Sequence, residues 1–174
     1  MTLEQVKAAI RDVPDFPTPG ILFKDITTAV KEPEILRFIA DELYEYYKDK
    51  GITKVACVES RGFILGGILA YMLGAGFVLV RKPGKLPAKT IGMDYALEYG
   101  TDRLEIHCDA IEKDDVVLLH DDLLATGGSA ATTLSLIKKF EPKAVLASFM
   151  IELEFLDGKK KLSEADDVYS LLKF

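Results

Sequence analysis

The sequence predicts an α/β fold in which a mostly parallel, twisted sheet is flanked by helices. Two observations lead to this class. Short, continuous apolar runs at 54–58, 77–80, 116–119 and 144–153 are typical of strands buried on both faces. Between them lie longer segments whose apolar residues recur every three to four positions, as in helices. Strands that alternate with helices form parallel sheets with right-handed crossovers, and a final run at 168–172 predicts an edge strand.

Length and composition limit the possible functions. At 174 residues the chain predicts one domain, and 49% hydrophobic with 29% charged residues is typical of a soluble globular protein. The net charge of −6 argues against a nucleic-acid partner. We expect no membrane partner, since no apolar run is long enough to span a bilayer. Neither a signal peptide nor a disulfide framework is evident, so Cys57 and Cys108 are expected to be buried thiols in the cytoplasm.

The N-terminal segment combines a short helix with an irregular apolar stretch. Residues 2–11 have a helical pattern, whereas 14–20 hold three prolines and a glycine, which regular structure does not accommodate. The apolar side chains between Phe16 and Phe23 are too many for a solvated loop. They fit either a strap over the core or a lid that presents aromatic surface and backbone groups to a flat ligand.

The next two strands end in polar or basic residues. A scaffold helix begins at Glu32–Pro33, and strand 54–58 leads into Glu59-Ser60-Arg61-Gly62 and a helix with small residues. Ligands of open α/β sheets collect at the carboxyl ends of strands, although an arginine there can also form a surface salt bridge. Strand 77–80 leads into a basic segment that is either a solvated charge run or an anion site. Its four cations are Arg81, Lys82, Lys85 and Lys89.

Residues 95–106 alternate apolar and polar side chains, which predicts an antiparallel hairpin. On this pattern alone, Glu98 is an ordinary surface acid.

The stretch from Asp115 to Thr133 organises the chain. Strand 116–119 is predicted to end at two adjacent carboxylates, Asp121 and Asp122, and a helix follows the loop of small residues after them. Such a loop can aim backbone N–H groups at one point beside the positive end of a helix, which makes a phosphate site. The alternative is an ordinary strand–helix turn whose glycines ease packing. The segment is neither a P-loop nor a G-x-G-x-x-G dinucleotide motif. The loop residues are Ala125, Thr126, Gly127, Gly128 and Ser129.

Several motifs resemble those of the type I phosphoribosyltransferases and occur in the same order as in that family. Their sequences are most similar to the family members that use adenine. DDLLATGG resembles the ribose-phosphate motif, with Asp121 and Asp122 on the ribose hydroxyls and 125–129 on the 5′-phosphate. FPTPGILFKDIT resembles the hood over the base, which implies that Leu22 and Phe23 enclose adenine and that the backbone of Leu22 and Lys24 reads its edge. ESRGF and RKPGKLP resemble the pyrophosphate segments. They imply contacts from Ser60, Arg61, Arg81, Lys82 and Lys85.

LEYG resembles the base of the family's flap, which implies proton transfer by Glu98 and flap closure by Tyr99. The resemblance further implies a cis peptide between Glu59 and Ser60. Two departures stand out: His120 replaces the usual aliphatic residue, and Ser129 replaces threonine.

The resemblance implies one phosphoribosyltransferase domain over 1–174, with a hood at about 12–28 and a flexible β-flap at about 83–104. It implies a glycosyltransferase of purine salvage, a homodimer, that converts adenine and phosphoribosyl pyrophosphate to AMP and pyrophosphate. Mg²⁺ is expected to arrive with the substrate and not on dedicated protein ligands. Two alternatives stay open: an enzyme for hypoxanthine, guanine or xanthine, and a non-catalytic regulator that senses phosphoribosyl pyrophosphate.

Overall fold

The computed structural model describes residues 1–96 and 101–174, and the contacts within it divide the chain into two compact units, 1–42 and 43–174. The first unit begins with helix α1 (Leu3–Ala9), where the hydroxyl of Thr2 accepts from the backbone of Gln5 and the Gln5 side chain accepts from the backbone of Thr2. This reciprocal capping satisfies amide groups that the first helical turn leaves unpaired.

An antiparallel strand pair follows in the first unit, formed by β1 (Arg11–Pro14) and β2 (Leu22–Asp25), and the short helix α2 (Thr27–Val30) comes next. The connection between the strands is irregular and contains a cis Phe16–Pro17 peptide bond. The irregular stretch was predicted, but the two strands were not, because each has only four residues and β1 ends on a proline.

Helix α3 (Pro33–Tyr47) begins in the first unit and ends in the second. The second unit then alternates strands and helices, as predicted. Its elements are β3 (Lys54–Val58), α4 (Gly62–Leu73), β4 (Gly76–Val80), β5 (Thr90–Ala96), β6 (Thr101–His107), β7 (Val116–Leu124), α5 (Gly128–Lys138), β8 (Ala144–Glu152) and β9 (Asp167–Lys173).

Five of these strands form one parallel sheet in the order β4-β3-β7-β8-β9, which places the last strand at an edge, as expected. Strands β5 and β6 form a separate antiparallel pair, referred to below as the ribbon. Alternate residues of the sheet face a core shared with α5 and the ribbon. The apolar centre of this core includes Val58, Val80, Leu119, Leu134 and Phe149.

Helix α4 lies close to β3 at Gly66. A Cβ atom at Gly66 would lie 2.0 Å from Sγ of Cys57, so the helix can approach this closely only with glycine there. Gly67, which has the same small size, would meet nothing within 4 Å. Only one of the two glycines is therefore needed for helix–sheet packing.

His120, the departure that the sequence left unexplained, is fully buried in β7. Its Nδ1 lies 3.1 Å from the hydroxyl of Ser148, its neighbour on β8, and within the described residues its Nε2 has no hydrogen-bond partner. Burial lowers the pKa of His120 to about 4. The imidazole is therefore neutral at neutral pH and acts as a core residue.

Three local predictions need correction. Strand β7 does not end at Asp121 and Asp122 but continues to Leu124, because its pairing with β8 persists to the end of that strand. The pattern of residues 159–165 suggests a short helix, but this part of the chain forms a 3-10 turn, Gly158–Leu162, and a second such turn, Glu154–Leu156, precedes it. Cys108 is partly exposed, whereas Cys57 is buried. Among the described helices, none has the length and apolar character required to cross a membrane.

Candidate active site

A cleft of about 360 Å³ opens at the carboxyl ends of β3, β4 and β7, the edge where ligands bind in parallel sheets. Six predicted site residues meet in it, although they come from three separate segments of the chain. The side chains that line it are Val58, Glu59, Ser60, Arg61, Lys82, Tyr95, Leu104, Asp121, Asp122 and Ser129.

The two adjacent acids lie at the floor of this cleft. A strand that ended at these acids would leave both open to solvent, but β7 continues past them and Asp122 is only 3% exposed. The backbone N–H of Asp122 donates to Oδ1 of Asp121 at 2.8 Å, and Oδ2 of Asp122 lies 3.0 Å from Nε of Arg61. Burial and the neighbouring charge of Asp122 raise the pKa of Asp121 well above its ordinary value. Burial also raises the pKa of Asp122, and Arg61 opposes that shift.

Gly62, the first residue of α4, allows the helix to start directly against these acids. A Cβ atom there would lie 3.0 Å from Oδ1 of Asp121 and 3.2 Å from the backbone oxygen of His120. A larger residue would therefore push Asp121 or the helix away from the cleft. The motif ESRGF contained this glycine, but only the packing shows what it contacts.

The loop of small residues turns from β7 into α5 as predicted. Gly127 has a positive φ of 78°, a conformation that favours glycine. A second glycine, Gly158 of the following 3-10 turn, lies directly behind the loop: its Cβ would fall 2.2 Å from the backbone oxygen of Ala125 and 2.9 Å from the amide nitrogen of Gly127. Ser129 lines the cleft, the three residues from Ala125 to Gly127 form the turn, and Gly128 begins α5.

The predicted cations differ in their positions. Arg61 and Lys82 line the cleft, whereas Arg81 and Lys85 are not among its lining residues. Nε of Arg81 donates to Glu59 at 2.6 Å, and the Arg81 backbone pairs with Glu105 of the ribbon. Lys85 is exposed, and its carbonyl oxygen accepts from Arg81 at 3.4 Å. The peptide bond between Glu59 and Ser60 is cis, as the resemblance implied.

The ribbon forms one wall of the cleft through Tyr95 and Leu104. Neither residue was among the site residues predicted from the sequence. The Tyr95 hydroxyl donates to Oδ2 of Asp102 at 3.2 Å, and burial with the nearby Asp102 carboxylate raises the pKa of Tyr95 to about 12. Alternation predicted the hairpin, but the contacts of its side chains depend on a strand register that the pattern did not specify.

The remaining predicted residues belong to other parts of the sequence. Leu22, Phe23 and Lys24 form part of β2 in the first compact unit. There, Leu22 is 50% exposed, the Phe23 ring packs edge-on against Phe16 at 5.1 Å, and Nζ of Lys24 pairs with Asp12 at 2.6 Å. Glu98 and Tyr99 fall within 97–100, outside the described residues.

The side chains near the cleft indicate how the expected Mg²⁺ could be bound. Across 1–96 and 101–174, no group of three or more histidine, cysteine, aspartate or glutamate side chains could enclose a metal ion. Mg²⁺ commonly keeps several waters and binds one or two carboxylates together with substrate phosphates. The buried pair Asp121 and Asp122 fits a metal ion held in this manner.

Comparison with known proteins gives one consistent family. The phosphoribosyl transferase domain model matches residues 25–171. The chain is 58% identical over 172 residues to the adenine phosphoribosyltransferase of Phocaeicola vulgatus, covering 99% of each chain. Its fold is similar to that of the adenine phosphoribosyltransferase of Rhodothermus marinus, with a TM-score of 0.93, 52% identity, and 99% and 98% of the two chains covered. It also resembles the APRTase of Giardia lamblia complexed with 9-deazaadenine, with a TM-score of 0.95, 39% identity, and 100% and 98% of the chains covered.

Proposed function

The chain belongs to the phosphoribosyltransferase family, and from this premise we propose that it transfers the phosphoribosyl group of phosphoribosyl pyrophosphate to adenine. The products are AMP and pyrophosphate, which makes the protein a glycosyltransferase of purine salvage. The observation that supports this best is the cleft itself, where an acid pair, the serine of a phosphate loop and two cations meet within one small volume.

The acids and the loop hold the ribose phosphate in this proposal. Backbone N–H groups of residues 125–129, at the amino end of α5, bind the 5′-phosphate, because a helix start and consecutive amides favour an anion. Asp121 and Asp122 accept hydrogen bonds from the ribose hydroxyls. The raised pKa values of both acids reflect carboxylates short of solvent, which such donors would stabilise.

The reaction replaces the bond between C1 of the ribose and the pyrophosphate oxygen with a bond between C1 and N9 of adenine. Negative charge then builds up on the departing pyrophosphate, and Arg61 and Lys82 lie where they can neutralise it. Arg81, Lys85 and the backbone near Ser60 add contacts at the same edge. Mg²⁺ bound with the substrate beside Asp121 and Asp122 would supply further positive charge that stabilises the leaving pyrophosphate.

Adenine must lose the N9 proton as the new bond forms, and we assign its removal to Glu98, with Tyr99 closing the flap. Leu22 and Phe23 form the hood over the base, and the backbone of Leu22 and Lys24 reads the adenine edge. The half-exposed Leu22 side chain supports this role, since it offers apolar surface to a flat ligand. The pairing of Lys24 with Asp12 fits a main-chain contact.

The chain acts as one phosphoribosyltransferase domain in this proposal, with residues 12–28 as hood and 83–104 as flap. The proposal includes a homodimer, and light scattering of the purified protein tests it by measuring the molar mass in solution. Free Cys57 and Cys108 support a cytoplasmic location, because disulfides are rare there.

A panel of bases tests the proposed function. Pyrophosphate release is measured with adenine, hypoxanthine, guanine and xanthine at saturating phosphoribosyl pyrophosphate. Adenine is expected to have by far the highest kcat/KM, because a site built for a 6-amino group leaves polar groups unpaired against a 6-oxo base, at about 1–3 kcal/mol per group. Equal use of hypoxanthine would contradict the adenine assignment, and no release with any base would favour a sensing regulator.

A further inference from the structure

An acidic residue outside every assigned role lies directly against one of the pyrophosphate cations. Oδ2 of Asp102 is 3.0 Å from Nζ of Lys82 and accepts from the Tyr95 hydroxyl at 3.2 Å. Oδ1 of Asp102 accepts from the backbone N–H of Arg103 at 2.8 Å. Three donors therefore converge on one carboxylate and hold it in place beside the Lys82 ammonium.

The position of this carboxylate follows from the register of the ribbon. Tyr95 on β5 is directly opposite Asp102 on β6, and the Tyr95 ring extends to 3.8 Å from the point where a Cβ of Gly128 would lie. Tyr95 and Lys82 line the cleft, and Asp102, which is not among the lining residues, contacts both. The contact thus connects the ribbon, the end of β4 and the phosphate loop.

The charges in this arrangement oppose the binding of an anion. The hydrogen bond from Lys82, followed by that from the Arg103 backbone, holds the pKa of Asp102 below its ordinary value, so the carboxylate is ionised at neutral pH. A pyrophosphate that recruits Lys82 must displace this anion or bind beside it. The Lys82 side chain is 56% exposed and can reorient, whereas Asp102 is fixed by Tyr95 and the ribbon backbone.

We propose that Asp102 is a built-in competitor of pyrophosphate for Lys82, a positioning residue that holds the ammonium when the site is empty and yields it when ligand binds. This inference rests on the proposed function, because it requires that Lys82 contacts the pyrophosphate group. Competition by Asp102 lowers the affinity for pyrophosphate below the value that the cations alone would give. This lower affinity favours release of the pyrophosphate product.

The test compares Asp102→Asn with Asp94→Asn by isothermal titration calorimetry. Asp94 lies on the same ribbon, is 67% exposed, and pairs with Arg103 outside the cleft, so its variant makes the same change in net charge. Each protein is titrated with magnesium pyrophosphate and, separately, with AMP, which carries no pyrophosphate. The titrations are run at low salt and at about 0.3 M salt, where distant charges are largely screened.

Asp102→Asn should bind magnesium pyrophosphate about two- to fivefold more tightly than the wild type, the range that a partly exposed ion pair represents. AMP affinity should be unchanged, and Asp94→Asn should match the wild type at the higher salt concentration. Equal or weaker pyrophosphate binding by Asp102→Asn overturns the inference. If the wild type binds neither magnesium pyrophosphate nor AMP, the proposed function itself fails.

Discussion

Nε of Arg61 lies 3.0 Å from Oδ2 of Asp122, so a cation proposed for the pyrophosphate and an acid proposed for the ribose form one ion pair. The two partners differ in solvent exposure: the arginine side chain is 35% exposed and the aspartate side chain only 4%. Solvent can compensate Arg61 when the pair separates, but it reaches Asp122 poorly. The buried acid therefore depends on the arginine more than the arginine depends on the acid.

Asp122→Asn and Asp121→Asn should differ in their effect on the free energy of unfolding, although both should weaken ligand binding. Loss of the Asp122 charge removes the ion pair of Arg61, and we expect the free energy of unfolding to fall by about 1–2 kcal/mol, less than for a fully buried pair because Arg61 is partly exposed. Asp121→Asn should cost less, because it relieves repulsion in the acid pair. Urea titration at pH 7 measures both values.

Both asparagine variants should bind phosphoribosyl pyrophosphate at least about tenfold more weakly, since hydrogen bonds to charged groups contribute about 1.5–3 kcal/mol. Isothermal titration with the magnesium complex measures the affinity. Wild-type affinity in both variants would leave the acids with a structural role only.

Glu98→Ala should lower kcat by at least about tenfold, since a positioned general base contributes about 10²–10⁴-fold. The affinity for phosphoribosyl pyrophosphate should change little, because this residue is not one of the cations. Steady-state kinetics and a binding titration test the two parts separately. Glu98→Gln keeps the size without the charge, so recovery of most of the rate in that variant would exclude proton transfer.

Gly158→Ala should disturb the phosphate loop from behind. Its Cβ would overlap the backbone oxygen of Ala125, and overpacking of this kind costs about 1–3 kcal/mol. We expect a raised KM for phosphoribosyl pyrophosphate together with a lower melting temperature. Gly67→Ala is the matched control: its Cβ would meet nothing within 4 Å, so that helix should be unchanged or stabilised by up to about 1 kcal/mol. Similar effects of the two variants would contradict a specific role for Gly158.

His120 should make the stability of the protein depend on pH. The pKa of about 4 in the folded chain lies below the ordinary value of 6.5, so between these values the unfolded chain binds a proton that the folded chain does not. The free energy of unfolding should therefore fall as the pH decreases from 6.5 to 4, by about 2 kcal/mol between pH 7 and pH 5. Urea titrations of the wild type and His120→Val at both pH values isolate this contribution. Equal losses in the two proteins would contradict it.

The sequence predicted the alternating strands and helices of the parallel sheet and the edge of that sheet at which the cleft opens. Apolar runs marked β3, β4, β7 and β8 because a strand buried on both faces requires such runs, and the chemistry of Asp121 and the glycine loop is local in sequence. Alternation in the same way predicted the hairpin of the ribbon.

Contacts between distant segments could not be predicted in the same way. The pairing of Asp102 with Lys82 depends on the register of β5 with β6, and the apposition of Gly158 and Gly127 depends on where a 3-10 turn packs. The burial of Asp122 was missed because the strand was predicted to end too early. The resemblance assigned the site motifs, but it did not indicate which carboxylate opposes each cation.

The two glycines behind and within the phosphate loop also restrict how this chain can evolve. A Cβ at Gly127 would lie 2.5 Å from the backbone oxygen of Gly158, and a Cβ at Gly158 would overlap the loop from the other side. Because each obstruction is backbone, no side-chain substitution at the other position can relieve it. Neither position can therefore accept a side chain unless the loop backbone shifts, and homologues that share this loop should retain glycine at both.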